Sequence, residues 1–293
     1  MRHARSWESE NGNRVRAGTR RVPARFAFHI HMDTIMEKCT CSVDERGVAR
    51  VTLSNPPMNA FDEEMLLGLE ETIIKINNDP ACRVAVVTGD GPTFIVGADV
   101  NRVREVKTFE EGVAATSRAQ GIMNLIENSR KPFIAAINGL ALGGGTELAL
   151  ACHLRVAGDQ AQMGLPEIML GIIPAFGGTQ RMARLLGPAR ALEYMLTAKF
   201  IDMKEAERVG LVNRVVPHAE VLAEATKMAR SIASKGQLAV RAIVEAVMEG
   251  GRRPMNEGLA LESELFGKLA STEDKEEGIR AFLEKRKPVF KDR

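Results

Sequence analysis

Aromatic residues are scarce in this chain: one Trp, one Tyr and 11 Phe among 293 residues. They form no cluster of the kind that stacks unpaired RNA bases, which argues against that class of partner. Cysteine is limited to Cys39, Cys41, Cys82 and Cys152. Cys39-x-Cys41 has the wrong spacing for a zinc knuckle and no second pair matches it, so no metal site is expected. The thiols read as reduced, with Cys152 serving as a small hydrophobe in an apolar helix. Long apolar runs are also missing. None approaches the roughly 20 residues that span a bilayer, so neither a transmembrane helix nor a membrane partner is expected. No Gly-x-Gly-x-x-Gly dinucleotide fingerprint occurs.

Charge is nearly balanced, with 40 Lys and Arg against 38 Asp and Glu for a net +2. Seven Arg and two Glu fall within residues 1–31, so the remainder is net negative and offers no electrostatic case for nucleic acid. Residues 1–35 lack helical or strand periodicity and are rich in Arg, Gly, Ser and Asn, which reads as a disordered N-terminal extension. No apolar stretch follows the charges, so a secretory signal is not expected. Three readings stay open. An upstream start codon would make Met32 or Met36 the natural beginning of a cytoplasmic protein. A transit peptide would place the protein in the mitochondrion. A functional basic arm would bind RNA or a protein partner.

What remains has the composition of an ordinary globular protein, 45% hydrophobic and 27% charged. Val48–Leu53 alternates like a half-buried strand. Asn55-Pro56-Pro57-Met58-Asn59 is a rigid turn, because adjacent prolines fix φ and donate no hydrogen bond. A helix follows, with Asp62 as its N-cap and Leu66, Leu69, Ile73 and Ile76 as its buried stripe. Val84–Thr88 and Phe133–Ile137 are short and β-branched, hence buried strands. Leu154–Ala157 and Leu211–Val216 are further short strands. From about residue 218 helices dominate, broken near Gly236, Gly250-Gly251 and Ser271, where Thr272 and Glu273 form an N-terminal cap signal. The expected organisation is an α/β core over residues 36–217 and an all-helical module over 218–293.

Chemistry concentrates in three stretches. Asn138 to Leu150 places three glycines, Gly143, Gly144 and Gly145, ahead of a helix, with Glu147 just inside it. Such a turn lets backbone N–H groups approach a ligand closely, and the first N–H groups of the helix lack internal partners. Taken alone, it reads as a tight bend followed by a salt-bridged Glu. Gly97-Ala98-Asp99 is a second turn of small residues. Glu167, between Pro166 and an apolar run, reads alone as an exposed loop residue. Together, two backbone donor sites and two glutamates in apolar surroundings outline an acyl-activating site.

These three stretches, in this order and spacing, resemble the crotonase superfamily, and within it the enoyl-CoA hydratases. Pro166-Glu167-Ile-Met-Leu-Gly171-Ile-Ile-Pro174-Ala-Phe-Gly-Gly-Thr-Gln-Arg181 carries the downstream part, and the similarity runs from about residue 36 to the end. The resemblance implies a spiral of ββα units whose C-terminal helices mediate a homotrimer or dimer of trimers. It implies an acyl thioester of coenzyme A as substrate and no separate cofactor. The backbone N–H groups of Ala98 and Gly144 match the family's oxyanion hole, and Glu147 and Glu167 match its catalytic glutamates. Gly97, Asp99, Gly143, Pro174, Ala175 and Phe176 fall at substrate-binding positions. Phe282 and Lys285 match positions that reach coenzyme A from a neighbouring subunit, although Lys285 reads equally as a solvated basic helix end.

The implied reaction is hydration of a trans-2-enoyl thioester to the 3-hydroxyacyl thioester, with Δ3,Δ2-enoyl-CoA isomerisation as the alternative. A non-catalytic member that binds RNA or a partner through the basic arm is an alternative of another class. Two departures stand out. Where many hydratases read Pro-Gly-Ala-Gly-Gly, this chain has Pro174-Ala175-Phe176-Gly177-Gly178, so that Phe176 reshapes the acyl pocket. His153 stands where an Asp is frequent and reads as structural.

Overall fold

The computed structural model describes residues 38–293. The expected extension over 1–35, with Met32 and Met36, lies outside the described residues. In chain order the elements begin β1 (Cys39–Val43), β2 (Val48–Leu53), α1 (Glu63–Asn78), β3 (Val84–Gly89), β4 (Thr93–Val96), α2 (Val100–Glu105) and α3 (Phe109–Glu127). They continue with β5 (Phe133–Ile137), β6 (Leu140–Leu142), α4 (Gly144–Ala151), β7 (Leu154–Gly158) and β8 (Gln162–Gly164). Next come α5 (Gly178–Leu186), α6 (Pro188–Leu196), β9 (Ile201–Asp202), α7 (Met203–Arg208) and β10 (Arg214–Val216). The last four are α8 (Val221–Ala233), α9 (Gln237–Gly250), α10 (Met255–Ala270) and α11 (Glu273–Leu283).

From β3 to β8, successive strands alternate between two sheets. One runs β1-β2-β3-β5-β7-β10 and the other β4-β6-β8-β9. The first sheet is parallel except for the β1–β2 hairpin, and the second is parallel except for β8–β9. Over β3 to β8 the chain therefore winds as strand, strand, helix, each turn adding one strand to each sheet. This is the mixed α/β spiral with C-terminal helices that the resemblance implies.

Strand periodicity explains the layering. Side chains of β3 alternate, so Ala85 and Val87 join the main core with Met65, Leu69 and Ile73 of α1. Val84 and Val86 point the other way, onto Ala225 and Ala229 of α8. Parallel strands covered on both faces need continuous apolar runs, and that is why β3 and β5 show no polar alternation. It also explains β2, which is buried along most of its length rather than half-buried, with Arg50 its exposed side chain.

Local caps follow the sequence closely. Asp62 accepts from the Met65 N–H at 2.9 Å and opens α1, a contact worth about 1 kcal/mol. Thr272 accepts from the Lys275 N–H at 3.2 Å and opens α11. The expectation of a strand running through one glycine turn into a helix is corrected. Leu140–Leu142 forms a separate strand, β6, paired with β4 and β8. Three residues are too short to show periodicity, and the pairing partners of β6 are remote in sequence.

Candidate active site

The site is built where the turns after β4 and β6 meet. Gly143 has φ 53° and ψ −121°, a region open to glycine. A Cβ there would lie 2.9 Å from Glu167 Oε1 and 3.4 Å from the Gly97 Cα. Gly97, itself at φ 71°, donates its N–H to the Leu142 carbonyl at 2.8 Å, while the Gly143 N–H reaches the Gly164 carbonyl at 2.9 Å. These bonds set Ala98 and Gly144 side by side. Phe61 brackets Ala98: its N–H donates to the Gly97 carbonyl at 3.0 Å and its carbonyl accepts from Asp99 at 2.9 Å. The Ala98 N–H itself has no acceptor among the described residues. Gly144 is the first residue of α4, so its N–H has no intrahelical acceptor. Two backbone donors are thus left free at one place. Thr146 pins the helix start, donating to the Ala141 carbonyl at 2.6 Å and accepting from the Gly164 N–H at 3.0 Å.

Glu147, one turn into α4, is 2% exposed. Its Oε1 accepts from the N–H groups of Phe176 at 2.8 Å and Gly178 at 2.7 Å. Burial pushes its carboxyl up to about 7; the Gly178 N–H opposes this, the Glu167 carboxylate adds to it, and the Phe176 N–H and Arg181 oppose it. Glu167 opens a short 3-10 turn, Glu167–Leu170, after β8. It is not the exposed loop residue it resembles in isolation. Its Oε2 is buried without a partner, and burial raises its carboxyl above the ordinary range.

Gly97, Ala98, Gly143, Gly144, Glu147 and Glu167 all line one cleft of about 2120 Å³. Pro174, Ala175 and Phe176 form part of its wall. The Asp99 carboxylate caps α2 by accepting from the Asn101 N–H at 2.9 Å, while its neighbours Ala98 and Val100 line the cleft. Phe282 and Lys285, at the end of α11, are exposed and do not line the cleft of their own chain. His153 accepts from the Phe133 N–H at 3.0 Å through Nδ1, so it ties the start of β5 to the end of α4. Among the described residues, no group of three or more His, Cys, Asp or Glu is placed to hold a metal ion, and no helix is long and apolar enough to cross a membrane.

Sequence reasoning missed Phe61, Gln120 and Arg181. The Phe61 ring lies 6.2 Å from that of Phe176, and a Cβ on Gly144 would meet it at 3.0 Å. Its signal was its place directly after the proline turn. Arg181 closes the Gly-Gly-Thr-Gln-Arg stretch but carried no assigned role, and Gln120 stands mid-helix with nothing local to mark it.

Chemically, paired N–H donors suit a developing negative oxygen, and two carboxylates across a cleft suit proton transfer to and from water. Interleaved sheets with such a site define an α/β enzyme of the crotonase superfamily. A family model described as enoyl-CoA hydratase/isomerase matches residues 44–293. A crotonyl-CoA hydratase of Syntrophomonas wolfei is 42% identical over 248 residues, 84% of this chain and 95% of that protein. A short-chain-enoyl-CoA hydratase of Clostridium acetobutylicum is 40% identical over 252 residues, covering 85% and 96% respectively. The crystal structure of an enoyl-CoA hydratase from Bacillus anthracis superposes with a TM-score of 0.84 at 37% identity, covering 88% of this chain and all of that one. The chain belongs to the enoyl-CoA hydratase/isomerase family.

Proposed function

We propose that this protein adds water across the double bond of a trans-2-enoyl thioester of coenzyme A, giving the 3-hydroxyacyl thioester. The observation that carries this reading is that Glu147 and Glu167 both line the cleft beside the Ala98 and Gly144 turns. The thioester oxygen sits against the two free N–H groups. Glu147 orients a water through its carboxylate and takes one proton as the oxygen attacks C3. The C2–C3 π pair moves toward C2 and the thioester oxygen, forming an enolate that the N–H groups stabilise. Glu167, whose burial favours the protonated form, delivers a proton to C2. Losing one such N–H donor costs on the order of 10²–10³ in rate. The two carboxyls titrate as a unit, so a proton passing between them restores the starting state.

Several features support an assembly of subunits, a trimer or a dimer of trimers. Ile243 and Val247 of α9, Met255, Leu259 and Phe266 of α10, and Phe282 of α11 are exposed apolar side chains on the C-terminal helices. In such an assembly Phe282 and Lys285 reach the coenzyme A of a neighbouring subunit.

The test is incubation with crotonyl-CoA while the absorbance of the conjugated thioester is followed. Hydration makes it fall, whereas an isomerase produces no such loss. Glu147→Gln and Glu167→Gln are each expected to lose roughly 10²–10⁴ in kcat with folding intact. Near-normal turnover in either variant overturns the two-glutamate reading.

A further inference from the structure

The wall that carries Ala175 and Phe176 is held from behind. Arg181 of α5 donates from Nη1 to the Phe176 carbonyl at 3.0 Å. Its Nη2 is fixed by Glu127 Oε2 at 2.9 Å and Asn124 Oδ1 at 2.7 Å, both on α3. One turn earlier on α3, Gln120 Nε2 donates to the Ala175 carbonyl at 2.8 Å. On the opposite side, the N–H groups of Phe176 and Gly178 converge on Glu147 Oε1.

Peptide planarity links the two sides. The Ala175 carbonyl and the Phe176 N–H belong to one rigid plane, so holding the oxygen aims the hydrogen. The next plane, from the Phe176 carbonyl, is held by Arg181. Gly177, at φ 111°, makes room for this: a Cβ there would lie 2.1 Å from Arg181 Nη1. A side chain at 177 would push the guanidinium away from the Phe176 carbonyl.

We propose that Arg181 and Gln120 are positioning residues, which hold two successive carbonyls of the 175–178 segment so that its N–H groups fix the orientation of the Glu147 carboxylate. With Oε1 held by two donors, rotation of the carboxylate is arrested and Oε2, which has no partner among the described residues, is left for the cleft. The catalytic consequence rests on the hydratase reading; the clamp itself does not.

The charged groups around Glu147 are few. Arg181 stands on α5 with Glu127 behind it on α3, and Glu167 faces it from the 3-10 turn. β4 and β6 carry no titratable side chain. Removing the Arg181 cation therefore favours the protonated form of Glu147.

Three variants test this in the full chain: Arg181→Lys, Arg181→Met and Gln120→Leu. Two quantities are measured, kcat and KM for crotonyl-CoA, and the titration midpoint of the Glu147 carboxyl by carbon-13 resonance, assigned through Glu147→Gln. Gln120→Leu is expected to lower kcat roughly tenfold, the worth of one hydrogen bond, with KM changed less than about threefold. Arg181→Met is expected to lower kcat by on the order of 10²-fold and to raise the Glu147 midpoint. Arg181→Lys should keep the midpoint and still lose kcat, because the charge remains and the planar fork does not.

An unmoved midpoint in Arg181→Met, or kcat within about twofold in Gln120→Leu where wild type is active, overturns the proposal. If Arg181→Met fails to fold, the exposed Gln120 position decides through kcat. If wild type hydrates no enoyl thioester, the carboxyl resonance decides: a midpoint that moves in the uncharged Gln120→Leu variant as well as in Arg181→Met upholds the clamp while the hydratase reading falls, and one unmoved in Gln120→Leu overturns the clamp.

Discussion

Glu147 should make the protein less stable as pH rises, and replacing it with glutamine should remove that loss. Burial raises the carboxyl from 4.5 to about 7 in the folded state. The native fold therefore prefers the neutral form. Its contribution to stability is fully present below pH about 4.5 and is lost as pH rises through about 7. At about 1.4 kcal/mol for each tenfold change in proton affinity, the loss amounts to about 3 kcal/mol by pH 8. Glutamine has nearly the same shape, and its carbonyl can still accept from the Phe176 and Gly178 N–H groups that Oε1 now engages. It never ionises. Glu147→Gln should accordingly match wild type near pH 4.5 and exceed it by roughly 3 kcal/mol at pH 8.

The measurement is urea unfolding followed by far-ultraviolet circular dichroism between pH 5 and 8. Both proteins are held at one concentration, because subunit association also stabilises. The difference between them is the informative quantity. Carboxylates remote from the site, such as the half-buried Glu205, held down to about 2 by Arg208 and Tyr194, titrate alike in both and cancel. A difference that stays flat or shrinks with rising pH refutes the reasoning. The expected rise identifies Glu147 as a group whose placement serves function at the expense of stability.

Other outcomes follow from the same geometry. Since a base must be ionised to act, wild-type kcat should climb with pH through about 7, and a pH-independent kcat between 6 and 8 contradicts the role of Glu147. Gly143→Ala forces a side chain onto φ 53° with its Cβ 2.9 Å from Glu167 Oε1. It should cost about 1–3 kcal/mol by thermal unfolding and lower kcat, and an unchanged kcat counts against the close approach. Phe176→Ala removes the ring that lies 6.2 Å from Phe61 and so widens the cleft. It should raise kcat/KM for longer acyl thioesters relative to crotonyl-CoA by roughly tenfold, and an unaltered ratio shows that Phe176 does not shape the acyl pocket.

The chain itself specifies whatever depends on near neighbours. The caps at Asp62 and Thr272 are local, since each side chain accepts from the N–H three residues on. The apolar runs of β3 and β5, the breaks at Gly236 and Ser271, and the glycine turn ahead of Glu147 are local too. The two glutamates and the two turns were legible because small residues and carboxylates in apolar surroundings are unusual along a chain.

Tertiary structure decided the rest, because the partners involved are remote. β6 exists as a strand only once β4 and β8 lie beside it. The Asp99 carboxylate caps α2 once the turn after β4 is fixed against Phe61. The packing of α8 across the six-stranded sheet is set by the alternate faces of β3, β5 and β7. Phe176 and Glu147 are 29 residues apart, and Gln120 and Ala175 are 55 apart. No periodicity or motif records a contact across such separations. Sequence determined that Glu147 would stand at a glycine turn, and the packing of α3 and α5 behind the opposite wall determined which way its carboxylate faces.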